Sequence, residues 1–264
     1  MYTTKVYFIN PVDLISVVIN TLVELEYETY SVSNQDRDRL LKVLQKDPRN
    51  IVFISITNKA DALKTVEYVE ALNQVPKTSI QIGSFVYNNL EPDIQQQLLL
   101  NKSSITPFSS LQENTVAVLK RILQLFEANT RGQYVQVRTR GITEVYFMPK
   151  SKRPFKARVI EISSFAFVCE IVPEMQGFFR QEMYIPEVTL ILQGARIQTA
   201  AKVLGFSKTK NAFIFRFCEL SVQGGKMTFS DTIARQKKIR VHNYIRACLG
   251  EDMAEQLSVA QEQW

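Results

Sequence analysis

The residues able to do chemistry are few and unevenly placed along the 264-residue chain. There is one histidine, His242, which rules out a histidine-based metal cluster and any Ser-His-Asp arrangement with a spare partner. Three cysteines, Cys169, Cys218 and Cys248, are odd in number and widely spaced, which disfavours a disulfide framework, gives no metal-ligand spacing and reads as reduced, mostly buried thiols. No G-x-G-x-x-G follows the first apolar run and no Walker loop occurs, so dinucleotide and P-loop chemistry are excluded as motifs. What stands out is cationic. Residues 1–130 hold 12 Lys+Arg against 14 Asp+Glu, while 131–264 hold 20 against 12, so the formal charge of +6 resides in the second half. Arg131, Arg138, Arg140, Lys150, Lys152, Arg153, Lys156 and Arg158 crowd one stretch, a setting for phosphates or an acidic protein surface. A second basic run, 234–240, lacks interleaved aromatics. With no zinc-finger spacing or helix-turn-helix beside it, it reads as a solvated face rather than a nucleic-acid contact.

The elements that must position these residues fall into two classes. In the first half, apolar runs of strand length alternate with helix-period segments. Strands are expected at Lys5–Ile9, Thr29–Val32, Asn50–Ile56, Ser79–Val86 and Ser103–Thr106. The first helix should bury Leu14, Val17, Val18, Thr21, Leu22 and Leu25. Asp36–Lys46, a segment with Ala62, Leu63, Val66 and Val69 on one side, and Asp93–Leu100 supply further helices. Ser110–Glu113 fits a capping box opening a helix that carries Val118, Leu119, Ile122, Leu123 and Phe126. Five β/α units in this length predict a doubly wound parallel sheet.

From Gln133 the period changes to two. Val145–Phe147 and its neighbours, Phe155–Ile162, Phe165–Val172, Val188–Leu192, Ile197–Phe206 and Ala212–Phe217 form at least six strand-like runs, a spacing that suggests a barrel. Phe165, Phe167, Cys169 and Ile171 should share one face and Phe213, Phe215 and Phe217 another, both facing the core. A last helix, roughly Asp231 to Leu249 with Val241, Tyr244, Ile245 and Cys248 on one stripe, should stop at Gly250 and pack across one end of the barrel. The domain expectation is 1–128 for the α/β unit, 129–250 for the barrel, and 251–264 for a polar, weakly helical tail ending in Trp264. No apolar run reaches membrane-spanning length and the first one ends at Asn10-Pro11, too short for a signal peptide, so a cytoplasmic protein is expected.

The layout of the first half resembles the receiver domains of two-component signalling. That resemblance implies an acidic pair after the first strand, a phosphoacceptor Asp at the end of the third and a Lys after the fifth. This chain carries Asn10-Pro11, Ser55 and Thr106-Pro107-Phe108 there, from which neither a magnesium cage nor an acyl phosphate can be built.

In the second half, Lys156–Phe167, Ile197–Val203 and Phe213–Phe217 followed by a closing helix resemble PilZ domains, the bacterial cyclic di-GMP effectors, over about residues 130–250. The resemblance implies a six-stranded barrel with a flanking helix, an R-R-x-x-x-R loop and a D/N-x-S-x-x-G turn. In that family arginines offer fork-shaped donors to phosphate and guanine, and the Asp/Asn and Ser bond a guanine edge. Here the loop reads Arg131, Gly132 and Gln136 where three arginines belong, and the turn reads Glu161, Ser163 and Ala166. Arg138 and Arg140 do not restore the spacing. Each lost arginine removes charge-assisted bonds of about 1.5–3 kcal/mol. The ligand positions carried over by the resemblance are therefore Arg131, Gln136, Arg138, Arg140, Glu161 and Ser163, with no catalytic residue, no metal and no cofactor. Two functions follow from this reading. The first is a non-enzymatic signalling adaptor that acts on an unidentified protein partner, with cyclic di-GMP binding lost or atypical. The second is a cyclic di-GMP effector in which ligand at the interdomain linker, beside Arg131, reorients the domains.

Overall fold

A computed structural model describes residues 4–262 apart from Pro48, Lys77, 87–89, 112–113, 129–133, 149–153 and 224–225. The chain divides into two compact units, Met1–Gln133 with Leu249–Trp264, and Tyr134–Cys248.

In the first unit five strands, β1 (Lys5–Ile9), β2 (Glu28–Val32), β3 (Arg49–Ile56), β4 (Ser79–Val86) and β5 (Ser103–Pro107), pair in parallel in the order β2-β1-β3-β4-β5. This is the doubly wound order expected from alternating strand and helix signals. Because helices cover a parallel sheet, its strands are apolar on both faces: every residue of β3 after Arg49 is buried. Phe8, Phe53 and Phe85 stack in sequence across β1, β3 and β4, with centroids 5.2 and 5.0 Å apart. Gly83 on β4 leaves room for this stack, since a Cβ there would sit 2.6 Å from the Phe53 ring.

The helices are α1 (Asp13–Glu24), α2 (Arg37–Leu44), α3 (Lys59–Asn73), α4 (Pro92–Leu100) and α5 (Thr115–Leu125). α1 is rotated from the expected face. It buries Ile15, Val18, Ile19, Leu22 and Val23, while Val17 is 69% exposed. The helix is apolar around most of its girth, so periodicity alone offered two competing stripes, and packing on the sheet selects one. Leu63 of α3 is likewise exposed, although Ala62, Val66 and Val69 are buried as expected. The charged segment after β2 splits into a 3-10 turn, Asn34–Asp36, and α2. The capping box is also displaced. Ser110 lies in a 3-10 turn and donates to the Pro107 carbonyl, whereas Asn114 caps α5 by accepting from the Ala117 amide at 3.2 Å. An asparagine one turn nearer the helix offers its side chain to an otherwise free N–H.

The second unit contains β6 (Gln136–Arg138), β7 (Thr143–Phe147), β8 (Phe155–Ser163), β9 (Ala166–Glu170), β10 (Tyr184–Leu192), β11 (Ala195–Ser207), β12 (Ala212–Gln223) and β13 (Lys226–Ser230). The antiparallel path β11-β10-β7-β8-β9-β12 closes on itself through β11–β12, giving the six-stranded barrel. β6 adds to β8, and β13 extends β12. A one-turn helix, α6 (Pro173–Gln176), follows β9. Alternate residues fill the barrel with rings: Phe147, Phe167 and Phe179 lie 5.0, 5.3 and 5.2 Å from Phe215 by ring centroid, and Phe217 lies 5.0 Å from Phe167. Phe213, Phe215 and Phe217 share the core face as expected. Phe165 does not join Phe167, Cys169 and Ile171. It sits in the turn before β9, half-buried outside the barrel, because the alternation of faces holds only within an extended strand and β9 begins at Ala166.

The last helix, α7 (Arg235–Glu262), starts four residues later than expected and does not stop at Gly250. Val241, Tyr244, Ile245 and Cys248 are buried in the barrel unit, and Leu249, Met253, Leu257 and Ala260 are buried in the α/β unit. Gly250 is not in the left-handed conformation of a terminating glycine. The cost of a helical glycine, about 1 kcal/mol, is offset by burial of the apolar stripe beyond it. The segment expected as a polar tail is thus helix through Glu262, and Trp264 lies outside the described residues.

Candidate functional site

The corner formed by β6, β8 and the turn into β9 gathers most of the ligand positions carried over from the PilZ resemblance. β6 pairs antiparallel with β8 in the register Gln136↔Ser163, Val137↔Ile162, Arg138↔Glu161. Alternation then puts Gln136, Arg138, Glu161 and Ser163 on one face, and buries Val137 and Ile162 on the other. Arg131 lies outside the described residues. Arg140 lies two residues beyond the end of β6, outside this strand pairing. Its backbone is clamped by α7: the Arg140 amide donates to the Tyr244 hydroxyl at 2.8 Å, and that hydroxyl donates to the Arg140 carbonyl at 3.0 Å. The Thr143 hydroxyl lies 2.9 Å from the same Tyr244 oxygen. Burial pushes the Tyr244 phenol up to about 12, so it stays protonated and able to donate.

The gathered side chains are bonded to one another. Gln136 Nε2 donates to Glu161 Oε2, a diagonal contact across the two strands, and Lys210 Nζ forms an ion pair with the same oxygen. Ser163 Oγ accepts from the amides of Phe165 at 3.3 Å and Ala166 at 3.0 Å and lies 3.1 Å from the Ala166 carbonyl, to which it donates. It shapes the turn by replacing backbone partners, which accounts for its presence there without any ligand. Phe165 is covered as well. Tyr134 stacks on it with centroids 4.7 Å apart, and the Arg216 guanidinium lies 4.6 Å from its centroid. Arg216 in turn is paired with Asp231 at 3.0 Å and donates to the Asp231 carbonyl.

Arg138 is the exception. It is exposed and makes no ion pair among the described residues. Further along β8, Lys156 pairs with Glu144 at 3.1 Å, and hydrogen bonds from Tyr146 and Lys156 hold the Glu144 carboxyl below the usual carboxylate range. Arg158 stands directly between Glu144 on β7 and Glu170 on β9. The described part of the basic stretch is therefore interleaved with acid.

Sequence reasoning missed Lys210, Tyr134 and Arg216 as parts of this corner. Lys210 belongs to the β11–β12 turn, 49 residues from Glu161, and nothing local announces it. Arg216 did carry a signal, since a charge between core residues Phe215 and Phe217 must point to the barrel exterior.

At the carboxyl ends of the parallel strands, Asn10 is exposed in a left-handed conformation, φ 48°, and Ser55 is buried. Asp61 accepts from Thr57 and, at 2.9 Å, from Asn58. A cleft of about 210 Å³ lies beside it, lined by Ile56, Thr57, Ala62, Val86 and Ile94, with the Lys59–Glu91 pair at 2.6 Å among its walls. Among the described residues no group of three or more metal-ligating side chains converges. Burial pushes the Cys169 and Cys218 thiols up, away from reactivity.

The fold comprises a five-stranded parallel α/β unit, a closed six-stranded antiparallel barrel and a long carboxyl-terminal helix. No family model matches the chain, and no curated protein matches it. Among solved structures, it is similar to YcgR of Escherichia coli in complex with c-di-GMP, at TM-score 0.36 and 11% identity, covering 48% of this chain and 49% of that one. The isolated PilZ domain of YcgR with c-di-GMP matches at the same score, with 97% of that chain covered. The MrkH–c-di-GMP complex of K. pneumonia matches at TM-score 0.36 and 11% identity, over 48% of this chain and 57% of that one. The matched part spans about half the length of YcgR. No helix among the described residues is long and apolar enough to cross a membrane.

Proposed function

We propose that this chain is a non-enzymatic, cytoplasmic signalling adaptor of the PilZ type that works through contact with a protein partner. In this reading its own side chains close the cyclic di-GMP position. The observation that carries it is the Glu161 carboxylate, which binds Gln136 and Lys210 within the chain. A phosphate arriving at this corner would meet a carboxylate rather than an arginine fork, and would have to separate Lys210 from its partner to gain a cation. The Ser163 hydroxyl is equally committed, to the turn it forms. Among the described residues, His242 is buried in α7 and burial raises the thiols of Cys169 and Cys218, which supports the non-enzymatic reading.

Isothermal titration of the intact protein with cyclic di-GMP tests the proposal. No heat is expected up to about 50 µM ligand, a range that would reveal any micromolar site. Saturable binding abolished by Arg131→Ala would overturn it in favour of a cyclic di-GMP effector. The exposed Arg138 on the same face is the feature that favours this second reading.

A further inference from the structure

β12 is longer than the barrel needs. Its pairing with β11 ends at Cys218 and its pairing with β9 at Arg216, yet the strand continues to Gln223 and pairs there with β13. Residues 219–223 and 226–230 thus form a two-stranded ribbon. Among the described residues, no strand pairs with the outer edge of β13. Such a ribbon is marginal in water by itself, and a free edge invites another strand.

The ribbon is amphipathic. The register places Val222 opposite Met227 and Leu220 opposite Phe229, so alternation puts all four on one face. Val222 and Met227 are 61% and 63% exposed, and Phe229 is partly covered by Tyr184, which stacks on it at 4.5 Å. With two residues between the paired Gln223 and Lys226, the hairpin closes on a hydrogen-bonded pair. By alternation Lys226, Thr228 and Ser230 face β12, and Met227 and Phe229 turn their N–H and C=O groups outward.

We propose that this edge is a self-association site, at which a second copy of the chain pairs with β13, antiparallel, about a two-fold axis at Thr228. The strand is self-complementary in that register. Met227 and Phe229 exchange hydrogen bonds with Phe229 and Met227 of the second copy, bringing apolar side chains together on the apolar face. Thr228 meets its own copy in the close, non-hydrogen-bonded pair, a favourable combination on the polar face. Lys226 falls opposite Ser230 and beside Asp231 of the second copy, so no like charges oppose and opposite ones meet at both ends. A one-residue slip would put Met227 opposite a polar residue and leave the apolar face unpaired.

Sedimentation of the full chain tests this. A concentration-dependent species of about twice 30.3 kDa is expected. Met227→Pro, which removes an outward N–H and leaves the β12 ladder intact, should return the chain to monomer. Thr228→Cys should cross-link under mild oxidation, because Cα atoms of such a pair lie about 4.5 Å apart. The three native cysteines are buried and do not compete, and Lys208→Cys in an exposed turn serves as the control. A monomer at every concentration up to about 100 µM overturns the proposal. A dimer that survives Met227→Pro, or cross-linking no greater for Thr228→Cys than for the control, overturns it equally.

Discussion

The carboxyl ends of β1, β3 and β5 carry Asn10, Ser55 and Thr106, which hold no charge at neutral pH, whereas the β6–β8 corner of the barrel holds Arg138, Glu161 and Lys210 together. Both places are where a resemblance calls for phosphate chemistry. The first lacks it by composition, because no carboxylate or lysine is present at the places that would use one. In the second the charges exist and are largely paired, Glu161 with Lys210 and Asp231 with Arg216, with Arg138 left exposed. A site missing its groups cannot be restored by one change. A site whose groups are paired off can be, and this separates the two regions experimentally.

The two units first differ in what holds them together. Phe215→Ala removes a fully buried ring contacted by four other phenylalanines, and should cost about 3–5 kcal/mol. The resulting loss of hydrogen-exchange protection should be confined to residues 134–248. Spread into β1–β5 would break the division between units. Gly83→Ala is the counterpart in the parallel sheet. A Cβ 2.6 Å from the Phe53 ring forces the aromatic stack apart at about 1–3 kcal/mol, read as a lower denaturation midpoint.

Smaller effects sharpen the comparison at the barrel corner. Tyr244→Phe leaves the Arg140 amide and the Thr143 hydroxyl without their shared partner, and should cost about 1–2 kcal/mol in urea unfolding. Glu161→Gln frees Lys210 and removes the negative charge. It should strengthen inorganic phosphate or cyclic di-GMP binding by roughly tenfold in calorimetry. An unchanged titration would show that pairing is not what closes the corner. Asp in place of Ser55, by contrast, should confer no labelling by a small phosphodonor, because the other acids are still missing.

The least effect is expected at Glu144. Its hydrogen bonds from Tyr146 and Lys156 lower its folded value, so the interaction is fully present above the unfolded value and is lost as pH falls through the folded one. Lys156, raised by the same contact, loses its contribution only as pH rises through its folded value. A carboxyl-carbon NMR titration should give a midpoint below that of an ordinary glutamate, moving up in Tyr146→Phe.

Legibility in the sequence followed the range of the interactions. Strand β1, with bounds Lys5–Ile9, was readable to the residue because a covered parallel strand is a near-continuous apolar run. The core face of Phe213, Phe215 and Phe217 was equally legible, since period two leaves no choice of side. α1 was not: its helix is apolar on competing stripes, and only the sheet beneath decides which one is buried. The carboxyl-terminal helix past Gly250 was hidden because its stabilising contacts belong to the α/β unit, more than a hundred residues earlier in sequence.

At the candidate site the sequence by itself determined which side chains are present: one arginine of three in the loop, a glutamate and a serine at the turn, and no acids for a magnesium cage. Only the tertiary structure decided what those side chains do. Strand pairing brought Gln136 to Glu161, and a distant turn delivered Lys210 to the same oxygen. Residue types fix the available charges, but pairing depends on which backbones hydrogen-bond, a property of the closed barrel and not of any local stretch.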